Sequence, residues 1–347
     1  MIQIIDKFED IDREQWVALL ADSAQRGFFQ SPEAYQLYGM IETCKPFAVA
    51  VVRDSALKGV CVGHIQAEGG KVKRYLSRRA IVNAGPLLAD DVTADEVAAL
   101  MKAVADKLKG KAIYAETRNF FNYDTLKDVF ADAQFKYEPH LNFQIDTTSE
   151  EVVQQNMGKS RKRDIKVTLR DGAEIVANPT DDEVRQYYTI LAELYRTKVK
   201  TPLLPERFFV NLNRQPYGHL LLVRYEGNII GGTVCVGKPG EPLYEWFACG
   251  EDGKFKNIHA STLATYAGIQ YAAQHGHPVF DMMGAGKPGE GYGVRDFKAK
   301  FGGKLVEDGR YIRVLNRPLY ELGKLGVKMI KKGNLNFFKS QNTPPQL

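Results

Sequence analysis

Disulfide-capable cysteine pairs, metal-type histidine clusters and long apolar runs are all missing from this chain. Its four cysteines, Cys44, Cys61, Cys235 and Cys249, lie far apart with no C-x-x-C spacing. That usage excludes a disulfide framework or a cysteine zinc site and predicts a reducing, cytoplasmic setting. The six histidines are scattered, and only His275 and His277 sit close together. A spacing of two at a helix end gives no metal-binding face, so no metal is expected. No run approaches the ~20 apolar residues of a membrane span. The N-terminal Met1-Ile-Gln-Ile-Ile-Asp6 lacks a basic stretch followed by an apolar one, so no secretory signal is expected. Neither G-x-S-x-G nor G-x-x-x-x-G-K-[ST] occurs, which removes the hydrolase elbow and the P-loop. Net charge is also small, 47 basic against 42 acidic residues. A balance of +5 permits an anionic partner without demanding one, and DNA is not expected. With 44% hydrophobic and 26% charged residues, the chain is neither disordered nor fibrous.

What is present is a repeat. A length of 347 residues suggests two domains. Ala48-Val-Ala-Val-Val-Arg-Asp54 followed by Gly59-Val-Cys-Val-Gly63 reads as a β-hairpin. Leu220-Leu-Leu-Val-Arg-Tyr-Glu226 followed by Gly231-Gly-Thr-Val-Cys-Val-Gly237 reads as another, about 170 residues later. A helix follows each, over 92–108 and 261–275, the first opened by a Thr93/Glu96 capping box. Short strands come next at 112–116 and 279–283, and each half closes on alternating sequence at 141–145 and 311–315. The junction falls near Thr147-Thr-Ser149, with Ser149 as N-cap of a helix running through the following basic segment. The expected division is therefore 1–148 and 149–317. A C-terminal amphipathic helix over 318–332 would lay its stripe of Leu319, Leu322, Leu325, Val327 and Ile330 against the first domain. Its lysines offer peripheral contact with anionic lipid at the inner face of the membrane as a second reading. The last residues, through Pro344-Pro345, are expected to fray.

Three segments can carry chemistry. Lys159, Arg161, Lys162, Arg163, Lys166 and Arg170 crowd one short span. Such a cluster is either a solvated face or a phosphate site, and its place at the junction favours phosphate as much as solvent. The glycine-rich stretch from Gly284 to Gly293 allows close backbone approach to a ligand. Tyr292 near its end and Arg295, Asp296, Phe297 and Lys298 just after it combine aromatic surface with charge. In the strand Leu243-Tyr-Glu-Trp-Phe-Ala-Cys249, alternation places Tyr244, Trp246 and Ala248 on one face and Glu245, Phe247 and Cys249 on the other. Glu245, or Asp281 in its own strand, would serve as a general base if buried.

In this order along the chain, several motifs resemble the Fem-type (FemABX) peptidyltransferases and their relatives in the GNAT acyltransferase superfamily. They are Phe29-Gln-Ser-Pro-Glu-Ala-Tyr35, Ala84-Gly-Pro-Leu-Leu88, Phe135-Lys-Tyr-Glu-Pro139, Met157-Gly-Lys-Ser-Arg-Lys-Arg-Asp-Ile-Lys166, Thr201-Pro-Leu-Leu-Pro-Glu-Arg-Phe-Phe209, Val279-Phe-Asp-Met-Met-Gly284 and Phe297-Lys-Ala-Lys-Phe-Gly-Gly303. The resemblance implies an α/β (α+β) fold of tandem duplicated GNAT-like domains, mixed central sheets flanked by helices, with the donor site in the second. It implies transfer of an aminoacyl or acyl group to an amine of a cell-wall or polysaccharide-related acceptor, nucleotide-linked or lipid-linked. The donor would be aminoacyl-tRNA or acyl-CoA, with no tightly bound cofactor. Lys298 stands where the family's Phe-Lys motif places a lysine near the donor. Under this resemblance, Lys298, Glu245 and Asp281 are the catalytic candidates. Lys159, Arg161, Lys162, Arg163, Tyr244, Trp246, Tyr292, Arg295 and Phe297 are the substrate- and phosphate-binding ones. The chain departs from the family twice. The long helical arm of some members is absent, and Gly250-Glu-Asp-Gly-Lys-Phe-Lys-Asn-Ile-His259 lacks the spacing of a CoA pyrophosphate loop. An acetyl-CoA-dependent N-acetyltransferase and a non-catalytic module holding a nucleotide sugar or glycan are the alternatives.

Overall fold

A computed structural model describes residues 1–67 and 70–331, with backbone only at 71, 73 and 326–331. The strands are β1 (Ile2–Ile5), β2 (Cys44–Arg53), β3 (Ala56–Gln66), β4 (Arg79–Ala84), β5 (Leu87–Leu88), β6 (Tyr114–Asn119), β7 (Lys136–Glu138), β8 (Leu141–Asp146), β9 (Glu174–Val176), β10 (Gly218–Tyr225), β11 (Asn228–Val236), β12 (Leu243–Gly250), β13 (Val279–Asp281), β14 (Lys304–Glu307) and β15 (Arg310–Val314). The helices are α1 (Arg13–Asp22), α2 (Pro32–Gly39), α3 (Lys71–Ser77), α4 (Ala94–Leu108), α5 (Lys127–Asp132), α6 (Glu150–Asn156), α7 (Lys159–Arg170), α8 (Asp181–Leu194), α9 (Glu206–Asn213), α10 (Ala260–Gln274), α11 (Gly293–Ala299) and α12 (Arg317–Lys331).

Both hairpins form as their sequences predict. The β2–β3 turn takes left-handed backbone at Asp54 and Ser55, and the β10–β11 turn does so at Glu226 and Gly227. That twist matches the right-handed twist of the strands on either side. Each hairpin also carries one register shift, at Val51/Val52 and at Val223/Arg224. Thr93 and Glu96 close the capping box of α4, and Ser149 accepts from Val152 N–H to start α6.

Two mixed sheets result, in the orders β1-β2-β3-β4-β6-β15-β7, with β5 on β3, and β14-β8-β13-β12-β11-β10-β9. The order corrects one expectation. The closing strands of the two halves are exchanged: β8 pairs with β13 and β14 in the second sheet, and β15 pairs with β6 and β7 in the first. The sheets therefore cross the boundary drawn at 148/149. Local alternation predicts each strand but carries no information about which sheet it joins.

The basic helix differs too. It is separate from α6, and the break lies at Met157–Gly158. Gly158 N–H donates to Lys300 O at 3.0 Å, and a Cβ on Gly158 would lie 2.9 Å from that oxygen. The chain must turn there to let the two backbones meet. On α12, Leu319 and Tyr320 are half-buried, and Tyr320 meets Tyr114 edge-on at 5.5 Å. Leu322 and Leu325 stay exposed, so the stripe is only partly covered. Val327 and Ile330, like Lys332 and the expected frayed end, lie outside the side chains described.

Of three apolar clusters among the described residues, one spans both sheets. Phe28, Phe29 and Tyr38 of the first half pack in the same cluster as Tyr187, Phe208 and Tyr244 of the second. Tyr311, buried on the exchanged strand β15, stacks on Phe130 at 4.2 Å. Tyr311→Ala should destabilise the protein by about 3–5 kcal/mol, read by urea unfolding. A loss below about 1 kcal/mol would show that the exchanged strand contributes little to the first core.

Candidate functional site

The site begins where β12 parts from β13. The two strands pair in parallel at Leu243–Phe280 and Tyr244–Asp281, and there β13 ends. From Glu245 onward no strand among the described residues pairs with that edge of β12. On its other edge the register with β11 slips between Val234 and Cys235, which leaves Trp246 as the extra residue of a β-bulge. The bulge overturns the strict alternation expected for this strand. Trp246 and Phe247 stack at 5.5 Å and line the same cavity, whereas Glu245 turns toward α10.

Into this wedge comes Lys298 from α11. Its ammonium donates to Met282 O and, at 2.7 Å, to Gly284 O. Glu245 and Asp281 are its charged neighbours. Glu245 is buried and accepts from Thr233 Oγ1 at 3.3 Å. Asp281 is buried and accepts from Asn142 Nδ2 at 2.8 Å on both oxygens, from Gln144 Nε2 at 3.3 Å and from Met283 N–H at 2.8 Å. Asn142 Oδ1 in turn accepts from Gly284 N–H at 2.8 Å. The turn Met282–Gly284 is thus fixed from both sides, with left-handed backbone at Met283 (φ 51°) and Gly284 (φ 106°). Burial raises both carboxyl groups above their ordinary range, against the pull of Lys298, and pushes the lysine ammonium down, against the pull of the two acids.

Met283 leads to a cavity of about 260 Å³ between the two sheets. His64, Asn83 and Arg118 line it from the first sheet; Tyr195, Trp246 and Phe247 line it from the second half. Arg118 and Met283 continue into a smaller hollow with His140, Asn142 and Arg310. Here the charge excess is positive. Glu116 lies between Arg310, at 2.6 Å, and Arg118 Nε, at 3.4 Å, and Arg310 also donates to His140 at 2.8 Å. His64 is buried, its Nδ1 lacks a partner, and burial with the Arg118 and Arg79 charges depresses its pKa to about 3. It is therefore a neutral ring at ordinary pH. The sequence reading missed Arg118, Glu116, Arg310, His140 and His64. One signal was available: Glu116 and Arg118 are spaced by two on a strand, so they share a face.

The expected residues divide. Lys298, Glu245 and Asp281 come together. Tyr244, buried with an unpartnered hydroxyl, faces a different cavity of about 260 Å³ with Asp281 and Asp308. Tyr292 is exposed on the glycine loop. Arg295 does not face a ligand: its guanidinium closes that loop on Ala285 O, Lys287 O and Glu290 O. Arg161 is also turned inward. It donates to Thr262 Oγ1 at 2.9 Å and Phe297 O at 3.2 Å and stacks on the Phe297 ring at 4.3 Å. Arg161 and Phe297 thus join α7 to α10 and α11. Arg163 pairs with Asp164. Lys159, Lys162 and Lys166 have no carboxylate within ion-pair distance among the described residues.

The starts of α10 and α4 carry side-chain acceptors, whereas α7, α9 and α11 begin without a side-chain cap. Asp252 accepts from Ser261 N–H at 2.9 Å at the start of α10, and the capping box fills the start of α4. Among the described residues no cluster of His, Cys, Asp and Glu is arranged to hold a metal ion.

Residues 156–299 match the family model of the acetyltransferase (GNAT) domain. No curated protein matches the sequence. In structure the chain is similar to FemX, with a TM-score of 0.69 and 14% identity over 92% of this chain and 99% of that one. It is also similar to the C-terminal domain (DUF2156) of a putative lysylphosphatidylglycerol synthetase from Agrobacterium fabrum (TM-score 0.53, 15% identity, 80% and 87% covered). A tandem GNAT protein from the clavulanic acid biosynthesis pathway scores 0.56 at 11% identity, with 91% and 99% covered. At such identities the likeness is one of fold.

Asp308 gives this region a pH signature. Burial, with Asp281 and Asp124 nearby, pushes its carboxyl from 3.8 to about 6. Between these values the folded protein holds a proton that the unfolded chain has released, so stability falls as pH rises through that window. Asp308→Asn should flatten the decline and leave the variant more stable than the parent above pH ~6. Thermal unfolding across pH checks this, and parallel curves would refute it.

Proposed function

We propose that this GNAT-fold acyltransferase, built on the Fem-type pair of domains, moves an aminoacyl or acyl group onto an amine held between its two sheets. The observation that carries the reading is the wedge, where an open strand edge at a bulge, a buried lysine and two buried carboxylates converge beside a cavity. Attack of an amine on an acyl carbonyl needs a donor for the developing oxyanion and an acceptor for the amine proton. The unpaired edge of β12 at Glu245–Trp246 offers backbone N–H groups for the carbonyl oxygen. Lys298 adds positive charge at the same point, in a site of low dielectric where it counts most. Glu245, with its raised pKa, is the candidate proton acceptor. Asp281, saturated by four donor contacts, acts as a positioning residue for the Met282–Gly284 turn.

Arg118 would anchor an anionic part of the acceptor, with Trp246 and Phe247 providing apolar walls. A nucleotide-linked or lipid-linked glycopeptide or glycan fits that chemistry, and the names FemX and lysylphosphatidylglycerol synthetase point toward amino-acid transfer. Aminoacyl-tRNA is favoured over acyl-CoA as donor because the segment 250–259 ahead of α10 lacks the spacing of a pyrophosphate loop and Asp252 places an acid at that helix start. The exposed Lys159, Lys162 and Lys166 suit a nucleic-acid backbone.

Two measurements test this. Charged tRNA labelled in its amino acid, incubated with the protein and an amine-bearing peptidoglycan precursor, should transfer label, whereas labelled acetyl-CoA should not. Transfer from acetyl-CoA would establish the N-acetyltransferase reading instead, and binding without transfer the non-catalytic one. Lys298→Ala should lower kcat by about tenfold or more, while Arg118→Met should raise KM for the acceptor. Unchanged turnover in the lysine variant would remove Lys298 from the mechanism.

A further inference from the structure

At the far side of the first sheet, α3 and α12 lie beside each other. Both expose large apolar side chains. Val72 is 73% exposed, Tyr75 52% and Leu76 40% on α3; Leu322 is 54% and Leu325 58% on α12. Five such residues on two neighbouring helices form a patch of the kind that marks an interaction surface.

Among the described residues positive charge predominates around the patch; Lys107 is paired with Asp6 at 3.9 Å, and Arg78 donates to Tyr75 O and Gly110 O. Arg74 and Arg78 of α3, Lys107 of α4, Lys111 just beyond it and Lys45 of β2 line a cavity of about 610 Å³. The single acid among its lining residues is Glu42, which is already ion-paired with Arg207. Arg317 and Lys324 add positive charge along α12, where Glu321 pairs with Lys324 at 3.3 Å. No described helix is long and apolar enough to cross a membrane.

We propose that α3, α12 and the basic cavity between β2 and the end of α4 form a docking face for an anionic lipid bilayer. The apolar side chains enter the headgroup boundary, and the arginines and lysines meet lipid phosphates in the cavity and along its rim. Long basic side chains suit this role, since their stems lie along apolar surface while their charged ends reach the headgroups. The basic cavity lies on the opposite face of β2 and β3 from the central cavity, lined by Lys45 and Ile65 where the other is lined by Cys44, His64 and Gln66, and the inference stands whether or not the acceptor is lipid-linked.

Co-sedimentation of the full chain with vesicles tests it. Vesicles of phosphatidylcholine with added phosphatidylglycerol should bind the protein, vesicles of phosphatidylcholine alone should not, and added salt should weaken binding. Val72→Glu with Leu325→Glu, and separately Arg74→Glu with Lys111→Glu, should each lower the partition by about tenfold or more. Thermal unfolding and transfer to a soluble acceptor should stay unchanged in both variants. Equal binding to neutral vesicles, no binding at all, or variants that bind like the parent would overturn the proposal. So would inorganic phosphate displacing the protein at matched ionic strength, which would make the cavity a soluble-anion site. A parent dimer that the apolar variant dissociates would assign the face to a second copy of the chain.

Discussion

Phe29 touches aromatic rings from both halves of the molecule. Its ring meets Tyr38 and Phe120 of the first half and Tyr244 and Trp246 of the second, at centroid distances between 5.2 and 6.5 Å. Such a seam contributes large buried area together with preferred edge and offset geometries. It also joins the two sheets through one apolar cluster. The walls of the central cavity belong to different sheets. The cavity therefore keeps its width only while the seam stays closed.

The exchange of β8 and β15 reinforces the same constraint. Each sheet contains a strand from the other half, so neither sheet is complete without both. Asn142 on β8 reaches Asp281 on β13, and Arg310 on β15 reaches Glu116 on β6. Asn142, Asp281, Glu116 and Arg310 are thus fixed on paired strands, which gives them the rigidity that preorganised electrostatics needs.

Around the cavity the charges are sorted by sign. On one side two guanidinium groups share one carboxylate, Glu116; on the other, one ammonium lies among two carboxylates. In a medium of low dielectric this arrangement makes the Arg118 side of the cavity the place for an anionic group. A substrate with an anionic group and an amine has one favourable orientation there, with the amine toward the wedge.

The sequence alone determined the two hairpins, the Thr93/Glu96 capping box and the Ser149 helix start, because these depend on neighbours a few residues apart. It also drew attention to Glu245, Asp281 and Lys298 through strand position and the motif beside the glycine loop. Tertiary structure decided the rest. It fixed which sheet β8 and β15 join, because pairing partners far apart in sequence leave no trace in local alternation. It turned Arg161 and Arg295 inward, because a guanidinium satisfies backbone carbonyls and ring faces as readily as it meets a phosphate. And it brought Arg118 and Arg310 to one cavity from residues 192 positions apart, a proximity created by the pairing of β15 with β6, where the two residues stand opposite each other.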